Sequence, residues 1–351
     1  MKVLLATSLR RGGPIEHALT LARALGQAGV EVEASCADPE LAARFAAAGA
    51  TPHVLPLERT ADPGGARRLA DLARGADVVH AQDRRTGLLT RVWRPDGTPR
   101  VYTVHGLPDP YLPIPANRGR RPGLRNQLAY RGLDAWLARR SDALVVASHA
   151  LAEQLRRRLG FPAARIEVIP NGVEPVPATE GGELVASISV LEPVKGLDAF
   201  VGAAAELGGA GARFAIFGSG PADGELRSLA DDLGAPVEFP GHVPADELLP
   251  LLRIFVLTSW FENCPMALLE AMMAGVPAVV TAVGGVPELV GDTALMVAPG
   301  DPAALAAALR RLLGDPALAA HLGGRARERA LAHFTAARNA DRLIDLYERV
   351  I

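Results

Sequence analysis

The chain has 351 residues, 49% hydrophobic and 22% charged, with a net charge of −2: a globular composition too long for one ordinary core and suited to two domains. Apolar runs stay short of the ~18 residues of a membrane span, and the start MKVLLATSLRRGG lacks a signal-peptide layout. With only Cys36 and Cys264, a disulfide framework and a zinc centre are excluded, and a reduced, cytoplasmic protein is expected.

In chain order, Lys2–Thr7 reads as a first strand, followed by Gly12-Gly13-Pro14 and an amphipathic helix over Ile15–Ala28. Strands are then expected at Val30–Ser35, Pro52–Leu55, Val78–His80, Arg100–Val104, Ala143–Ala147 and Arg165–Ile169. Helices fall between them, among them Leu41–Ala48, Gly65–Arg74 and Leu151–Leu159. Residues 170–182, PNGVEPVPATEGG, read as a linker. A second alternating series places strands at Leu184–Ser189, Arg213–Phe217, Pro236–Phe239, Ile254–Leu257, Pro277–Val280 and Leu295–Val297. A last helix, Asn339–Val350, follows once that sheet is complete and is expected to cross back to the first domain. The pattern predicts an α/β protein of two Rossmann-like, doubly wound domains, 1–170 and 183–335, facing across a cleft, with residues 336–351 packed on the first.

The charge is divided between these halves. Residues 1–170 hold 25 Lys+Arg against 16 Asp+Glu, and the remainder 12 against 23. The densest basic patch is Arg118, Arg120, Arg121, Arg125, Arg131, Arg139 and Arg140, opposed by Asp134 and interleaved with Tyr130 and Trp136. It reads either as a solvated face or as a contact to anionic lipid or a phosphorylated acceptor. No nucleic-acid motif accompanies it, and nucleic acid is not an expected partner.

The segment SWFENCPMALLEAMMAGVPAVV carries most of the chemistry. Glu262 follows an apolar strand, and Asn263-Cys264-Pro265 is expected to open an apolar helix, with Pro265 at its first position and Gly275 closing it. The amides of Met266, Ala267 and Leu268 then form a helix N-terminus suited to phosphate. Glu270 lies about 7–8 Å further on, at roughly 1.5 Å per residue, where a carboxylate can accept from ribose hydroxyls. Glu262 is left to hold hydroxyls of whatever the diphosphate carries.

Lys195, in LEPVKGLD, is one of only two lysines, the other being Lys2. A compact ammonium there suits a departing diphosphate; the plainer reading is a surface lysine at a helix start. His105 ends VYTVHG, where an imidazole can donate to a sugar hydroxyl, and His80 in DVVHAQD reads as core or supporting structure. Gly218-Ser219-Gly220 and Gly241-His242-Val243 follow strands and can present backbone to a nucleotide. There is no G-x-G-x-x-G, D-x-D or G-x-S-x-G motif, so neither a dinucleotide fingerprint, a metal nor a serine nucleophile is expected.

The pattern E-N-x-P-x-x-x-x-E-A-M-x-A-G-x-P, with Gly12-Gly13, TVHG, Lys195-Gly196, PNGV and GGVPE, resembles glycosyltransferase family 4 over nearly the whole chain. The resemblance implies a GT-B fold and a nucleoside-diphosphate sugar donor held by the second domain. It also implies a glycan, lipid-linked or small-molecule acceptor held by the first, domain closure, and transfer with retention in polysaccharide, glycolipid or other glycoconjugate biosynthesis. Residues implied in catalysis are Lys195, Glu262 and His105. Those implied around the donor are Glu270, Gly12, Gly13, Gly218, Gly220, His242, Val243, Cys264, Met266, Ala267 and Leu268, with no cofactor and no metal. The chain departs from the family at Gln82, where many members have histidine, and at Val190, where an arginine is expected: either another arginine substitutes, or activity is lower, or the protein binds without catalysing. A same-fold nucleotide-sugar epimerase and a weakly active or non-catalytic sugar-nucleotide-binding subunit stay open. Peripheral contact with the inner membrane face stays open as well.

Overall fold

A computed structural model describes residues 1–57, 63–92, 97–108, 111–112, 114–115, 123–208 and 211–351, leaving aside the side chains at 127, 130 and 131. Arg118, Arg120 and Arg121 of the basic patch, and the side chains of Tyr130 and Arg131, thus lie outside the described residues. The chain forms two compact units. Unit 1 comprises Met1–Tyr111, Arg120–Glu174 and Thr335–Ile351, and unit 2 comprises Leu112–Gly119 and Pro175–Phe334.

The sheet of unit 1 consists of β1 (Lys2–Ala6), β2 (Glu31–Cys36), β3 (Thr51–Val54), β4 (Val78–Ala81), β5 (Arg100–Thr103), β6 (Ala143–Val146) and β7 (Ile166–Val168). All pairings are parallel, in the order β3-β2-β1-β4-β5-β6-β7. Parallel strands need helical crossovers, and helices on both faces bury the central strands, while the edge strands β3 and β7 are only partly buried. Strand β1 shows this residue by residue. Val3 and Leu5 point into a core shared with Ile15, Leu21 and Leu25 of helix Gly13–Gln27 and with Leu343, Leu346 and Tyr347 of helix Ala336–Val350. Leu4 and Ala6 point the other way, toward Leu69 and Ala73 of helix Pro63–Ala73 and Leu89 of helix Arg84–Val92.

The C-terminal helix is tied into unit 1 by more than its apolar face. Thr335 caps it, its side chain accepting from Arg338 N. Asn339 Nδ2 donates to the Pro170 carbonyl at 2.7 Å and Ala336 N to the Val173 carbonyl at 2.9 Å. Residues 170–174, read from sequence as the start of a linker, are therefore held within unit 1. Gly172 is required there, since a Cβ would stand 2.4 Å from the Thr335 carbonyl oxygen.

Unit 2 has a six-stranded parallel sheet of β8 (Leu184–Ile188), β9 (Arg213–Phe217), β10 (Val237–Gly241), β11 (Leu252–Leu257), β12 (Ala278–Thr281) and β13 (Leu295–Val297). Its order is β10-β9-β8-β11-β12-β13. Val185, Phe214, Ile216, Ile254, Val256 and Val279 bury one face against Phe200 and Val201 of helix Leu197–Leu207 and Leu305 and Leu309 of helix Pro302–Gly314. Helix Met266–Met273 lies beside helix Pro316–His333. They approach so closely that a Cβ at Gly323 would sit 2.1 Å from the Gly275 carbonyl oxygen.

The sequence places one helix over Leu151–Leu159, whereas the chain makes an α-helix over His149–Gln154 and a π-turn over Leu155–Leu159. Gly160, at φ 69°, ends it in the left-handed conformation. Among the described residues no helix is long and apolar enough to cross a membrane.

Candidate functional site

In each sheet the strand order reverses once, between β1 and β4 and between β8 and β11. At such a point the loops leaving the two strand ends diverge, and the crevice they leave is where open α/β sheets bind ligands. Gly12, Gly13, Lys195 and Glu262 fall on those loops, whereas His105, Gly218, Gly220, His242 and Val243 follow the strands beside them or one further out.

In unit 2 the loop after β8 carries Lys195, at the end of the turn Pro193–Lys195, and the loop after β11 carries Glu262. They meet: Lys195 Nζ lies 2.7 Å from Glu262 Oε1, with side-chain exposures of 22% and 10%. The same carboxylate oxygen accepts from Ser259 Oγ at 2.7 Å, and Ser259 is buried. The two loops are laced together behind this pair. Thr258 Oγ1 donates to the Lys195 carbonyl at 2.9 Å, Trp260 N to the Val194 carbonyl at 2.8 Å, and Thr281 Oγ1 to the Ser259 carbonyl at 2.7 Å. Gly196, at φ 56°, is the only residue type that fits between them, because a Cβ would lie 2.5 Å from the Thr258 carbonyl oxygen.

Glu262 is also held from behind. Gly285 N donates to its carbonyl at 3.0 Å, and Gly284, at φ 51°, runs so close that a Cβ would stand 1.8 Å from that oxygen. The sequence shows GGVPE as turn chemistry; the structure shows it setting the main chain of Glu262. Ser259 escaped notice because a serine after an apolar strand is ordinary; the available signal was its spacing, three residues ahead of Glu262.

Beyond Glu262, Asn263 and Cys264 are buried in the turn before helix Met266–Met273. The expected position of Pro265 needs correcting. It is not the first helical residue but the cap, with φ −68° and ψ 125°, and its carbonyl accepts the first helical bond from Leu269 N at 3.2 Å. A proline cap contributes no side-chain hydrogen bond, so the amides of Met266, Ala267 and Leu268 form a bare helix start. The side chains of Met266 and Leu268 are buried in the core, so these residues offer a ligand their backbone. Glu270, three residues after Ala267 in the same helix and so on the same face, is half-buried.

Gly218 and Gly220 have a reason the sequence did not disclose. Cβ atoms would fall 1.8 Å from the Ser189 and 2.4 Å from the Leu191 carbonyl oxygens. These glycines let the loop after β9 press onto the loop that leads to Lys195, sealed by Ser189 N to the Phe217 carbonyl at 3.0 Å and Leu191 N to the Ser219 carbonyl at 3.1 Å. Val190, between those two residues, is half-buried. His242 is exposed and Val243 half-buried just after β10. A cavity of about 360 Å³ adjoins the Lys195 turn, lined by Pro193, Leu197, Leu226 and Trp260, but includes neither Lys195 nor Glu262.

Unit 1 carries its candidates after β1 and after β5, the neighbour of β4. Gly12 caps helix Gly13–Gln27 at φ 100°, a conformation that favours glycine, and Gly13 is its first residue. His105, half-buried after β5, has Nε2 3.3 Å from Gln82 Oε1, and its ring meets His17 edge-on at 5.5 Å. His80 is fully buried, its Nδ1 2.5 Å from Tyr347 Oη and its Nε2 2.6 Å from Thr103 Oγ1. Burial holds all three imidazoles neutral: His17 falls to about 4, His80 to about 3, and His105 well below the usual histidine range. His105, Gln82, Thr103 and Pro14 line a cavity of about 310 Å³.

Asp134 does not neutralise the basic patch as a whole. It is buried and given to Arg84, Oδ1 lying 2.5 Å from Arg84 Nε. Arg125, Arg139 and Arg140 stay exposed, Arg140 stacking over Trp136 at 5.0 Å. Leu124, Leu128 and Leu133 are exposed on the same helical stretch.

Comparison with known proteins follows the same division. A family model described as Glycosyltransferase Family 4 matches residues 11–176, and one described as Glycosyl transferases group 1 matches residues 182–315. A glycogen synthase of Mycobacterium tuberculosis is 31% identical over 282 residues, 74% of this chain and 65% of that protein, so the chain spans less than two thirds of it. An MMP alpha-(1->4)-mannosyltransferase of Mycolicibacterium hassiacum is 28% identical over 84% of this chain and 76% of its own length. The crystal structure of Anabaena HepE in complex with UDP-glucose superposes with a TM-score of 0.86 at 19% identity, covering 99% of this chain and 100% of that one. At that identity the likeness shows the fold: two parallel α/β sheets of the GT-B class.

Proposed function

The chain belongs to the family 4 glycosyltransferases, and from that premise we propose that it moves a sugar from a nucleoside-diphosphate donor to an acceptor hydroxyl with retention of configuration. The observation that carries this reading is the meeting of Lys195 and Glu262 at the strand reversal of unit 2, ahead of the bare start of helix Met266–Met273. The UDP-glucose in the HepE complex supports the donor class. In the transition state a cationic, oxocarbenium-like sugar separates from an anionic diphosphate. The Lys195 ammonium and the amides of Met266, Ala267 and Leu268 stabilise that departing charge in the role a divalent ion plays elsewhere. Glu262 orients the sugar and Glu270 accepts from the ribose hydroxyls. The leaving phosphate oxygen takes the acceptor proton. Unit 1, with His105, serves the acceptor. Val190 gives no second cation here, and Lys195 is the basic side chain that meets Glu262.

The exposed Leu124, Leu128 and Leu133 beside Arg125, Arg139 and Arg140 support peripheral binding of unit 1 to an anionic bilayer. Sedimentation with phosphatidylglycerol vesicles, but not with neutral ones, checks it.

The test of the central reading is titration of the protein with a panel of UDP-, GDP- and ADP-sugars in EDTA. One donor should bind and raise the unfolding temperature. In Glu270→Ala its affinity should fall at least about tenfold, the loss of a hydrogen bond near 1.4 kcal/mol. Binding that required magnesium or manganese, or that ignored Glu270, would overturn the assignment.

A further inference from the structure

The cavity of unit 1 has walls of two kinds. At its base the ends of β4 and β5 present Gln82, Thr103 and His105. The rest of the lining is mostly apolar, from Leu9, Leu107, Pro108, Leu155 and Phe161, with Asp83 and the Arg84–Asp134 ion pair also reaching it. Gln82 is 1% exposed, and its Oε1 faces His105 Nε2 at 3.3 Å, yet its Nε2 has no hydrogen-bond partner. A buried amide N–H pair left unsatisfied is uncommon and costly, and at a cavity wall it points to a ligand oxygen. Its partner geometry fits that assignment. The carboxamide oxygen only accepts, so its contact with His105 is a hydrogen bond when the imidazole proton sits on Nε2. Burial keeps His105 neutral with a single N–H. Gln82 thereby fixes the tautomer of His105 and keeps its own two donors uncommitted at the cavity wall.

We propose that this cavity takes a sugar hydroxyl carried on an apolar aglycone, and that Gln82 is the residue that reads the hydroxyl oxygen through its unpartnered side-chain N–H. The inference rests on the glycosyltransferase reading in that such a ligand would be the acceptor. It is specific to this chain through Gln82, which stands where the family resemblance places a histidine.

The test is calorimetric titration of the whole protein with 4-nitrophenyl β-D-glucopyranoside and methyl β-D-glucopyranoside, with the bound nucleotide sugar titrated in parallel. The aryl glucoside should bind at least about tenfold more tightly than the methyl one, as burial of an added apolar group requires. Gln82→Leu, close in size and free of polar atoms, should weaken the aryl glucoside about tenfold and leave nucleotide-sugar affinity unchanged. Pro108→Asp, at a half-buried wall position, should erase the preference for the aryl compound without touching the nucleotide. Equal affinity for the two glucosides, no binding of either, or indifference to Gln82→Leu overturns the proposal while nucleotide-sugar binding still stands. Loss of nucleotide binding in the parent protein overturns the functional reading itself.

Discussion

Removing Glu262 should have opposite effects on nucleotide binding and on transfer. In the unliganded protein the Lys195 ammonium is committed to a carboxylate 2.7 Å away. A diphosphate entering beside it competes with that carboxylate and is repelled by its charge. A charge-assisted hydrogen bond contributes about 1.5–3 kcal/mol. Lys195 keeps 22% of its side chain in water, so the lower end applies, discounted for solvent screening. About 1.4 kcal/mol, or tenfold, is then returned to diphosphate binding when the carboxylate is absent. Glu262→Ala should bind UDP about tenfold more tightly than the parent protein, with the gain shrinking as salt is raised. Transfer should nevertheless fall by two orders of magnitude or so, because the sugar has lost its anchor. Ser259→Ala leaves the carboxylate in place and removes only the donor that shares Glu262 Oε1 with Lys195, so it should not tighten UDP binding. Calorimetry with UDP and a coupled assay of UDP release separate the two effects. Unchanged or weaker UDP binding in Glu262→Ala would refute the idea that this carboxylate holds the ammonium in check.

Other outcomes follow from the same geometry. Gly284→Ala places a Cβ 1.8 Å from the Glu262 carbonyl oxygen at positive φ and should destabilise unit 2 by at least ~1–3 kcal/mol in urea unfolding; Gly234→Ala, also at positive φ (60°) but in open space, should cost only about 1. Tyr347→Phe leaves His80 Nδ1 without its partner and should cost ~1–3 kcal/mol, with nucleotide-sugar affinity untouched because Tyr347 belongs to unit 1. His17 and His80 stay neutral when folded, at about 4 and about 3, but take protons near pH 6.5 when unfolded. The unfolded state thus binds more protons below that pH, and stability present above pH 6.5 should drop by about 4 kcal/mol between pH 7 and 5. A flat profile in chemical denaturation would show that these rings are charged or hydrated in the folded protein.

Much of this architecture could be read from the chain because parallel strands buried on both faces appear as apolar runs. Val78–Ala81 and Ala143–Val146 are buried at every position, and each run found in the sequence became a strand, with ends shifted by a residue or two. Strand β11 begins earlier, at Leu252, because Arg253 interrupts the apolar pattern while its stem still runs within the sheet. The motifs placed Lys195 and Glu262 at strand ends, which is where the structure has them. What the sequence could not reveal is which strand ends are neighbours. Lys195 and Glu262 meet across 67 positions because β11, and not β9 alone, pairs with β8.

That limit explains the glycines as well. From sequence, Gly218 and Gly220 read as backbone offered to a nucleotide, since a glycine after a strand is the usual sign of a ligand approaching closely. The structure shows another chain segment approaching closely: the loop of Ser189 and Leu191, whose carbonyls occupy the space a Cβ would need. Gly196 meets Thr258, and Gly284 meets Glu262, in the same manner. The loops around Lys195 and Glu262 are packed backbone on backbone, with side-chain volume removed so that two charges can be set within one hydrogen bond of each other. A glycine in a local pattern announces only that something comes near; whether it is a ligand or another loop depends on strand order, which no local pattern contains. What the packing fixes is the position of the Lys195 ammonium against Glu262, through loops that meet backbone on backbone.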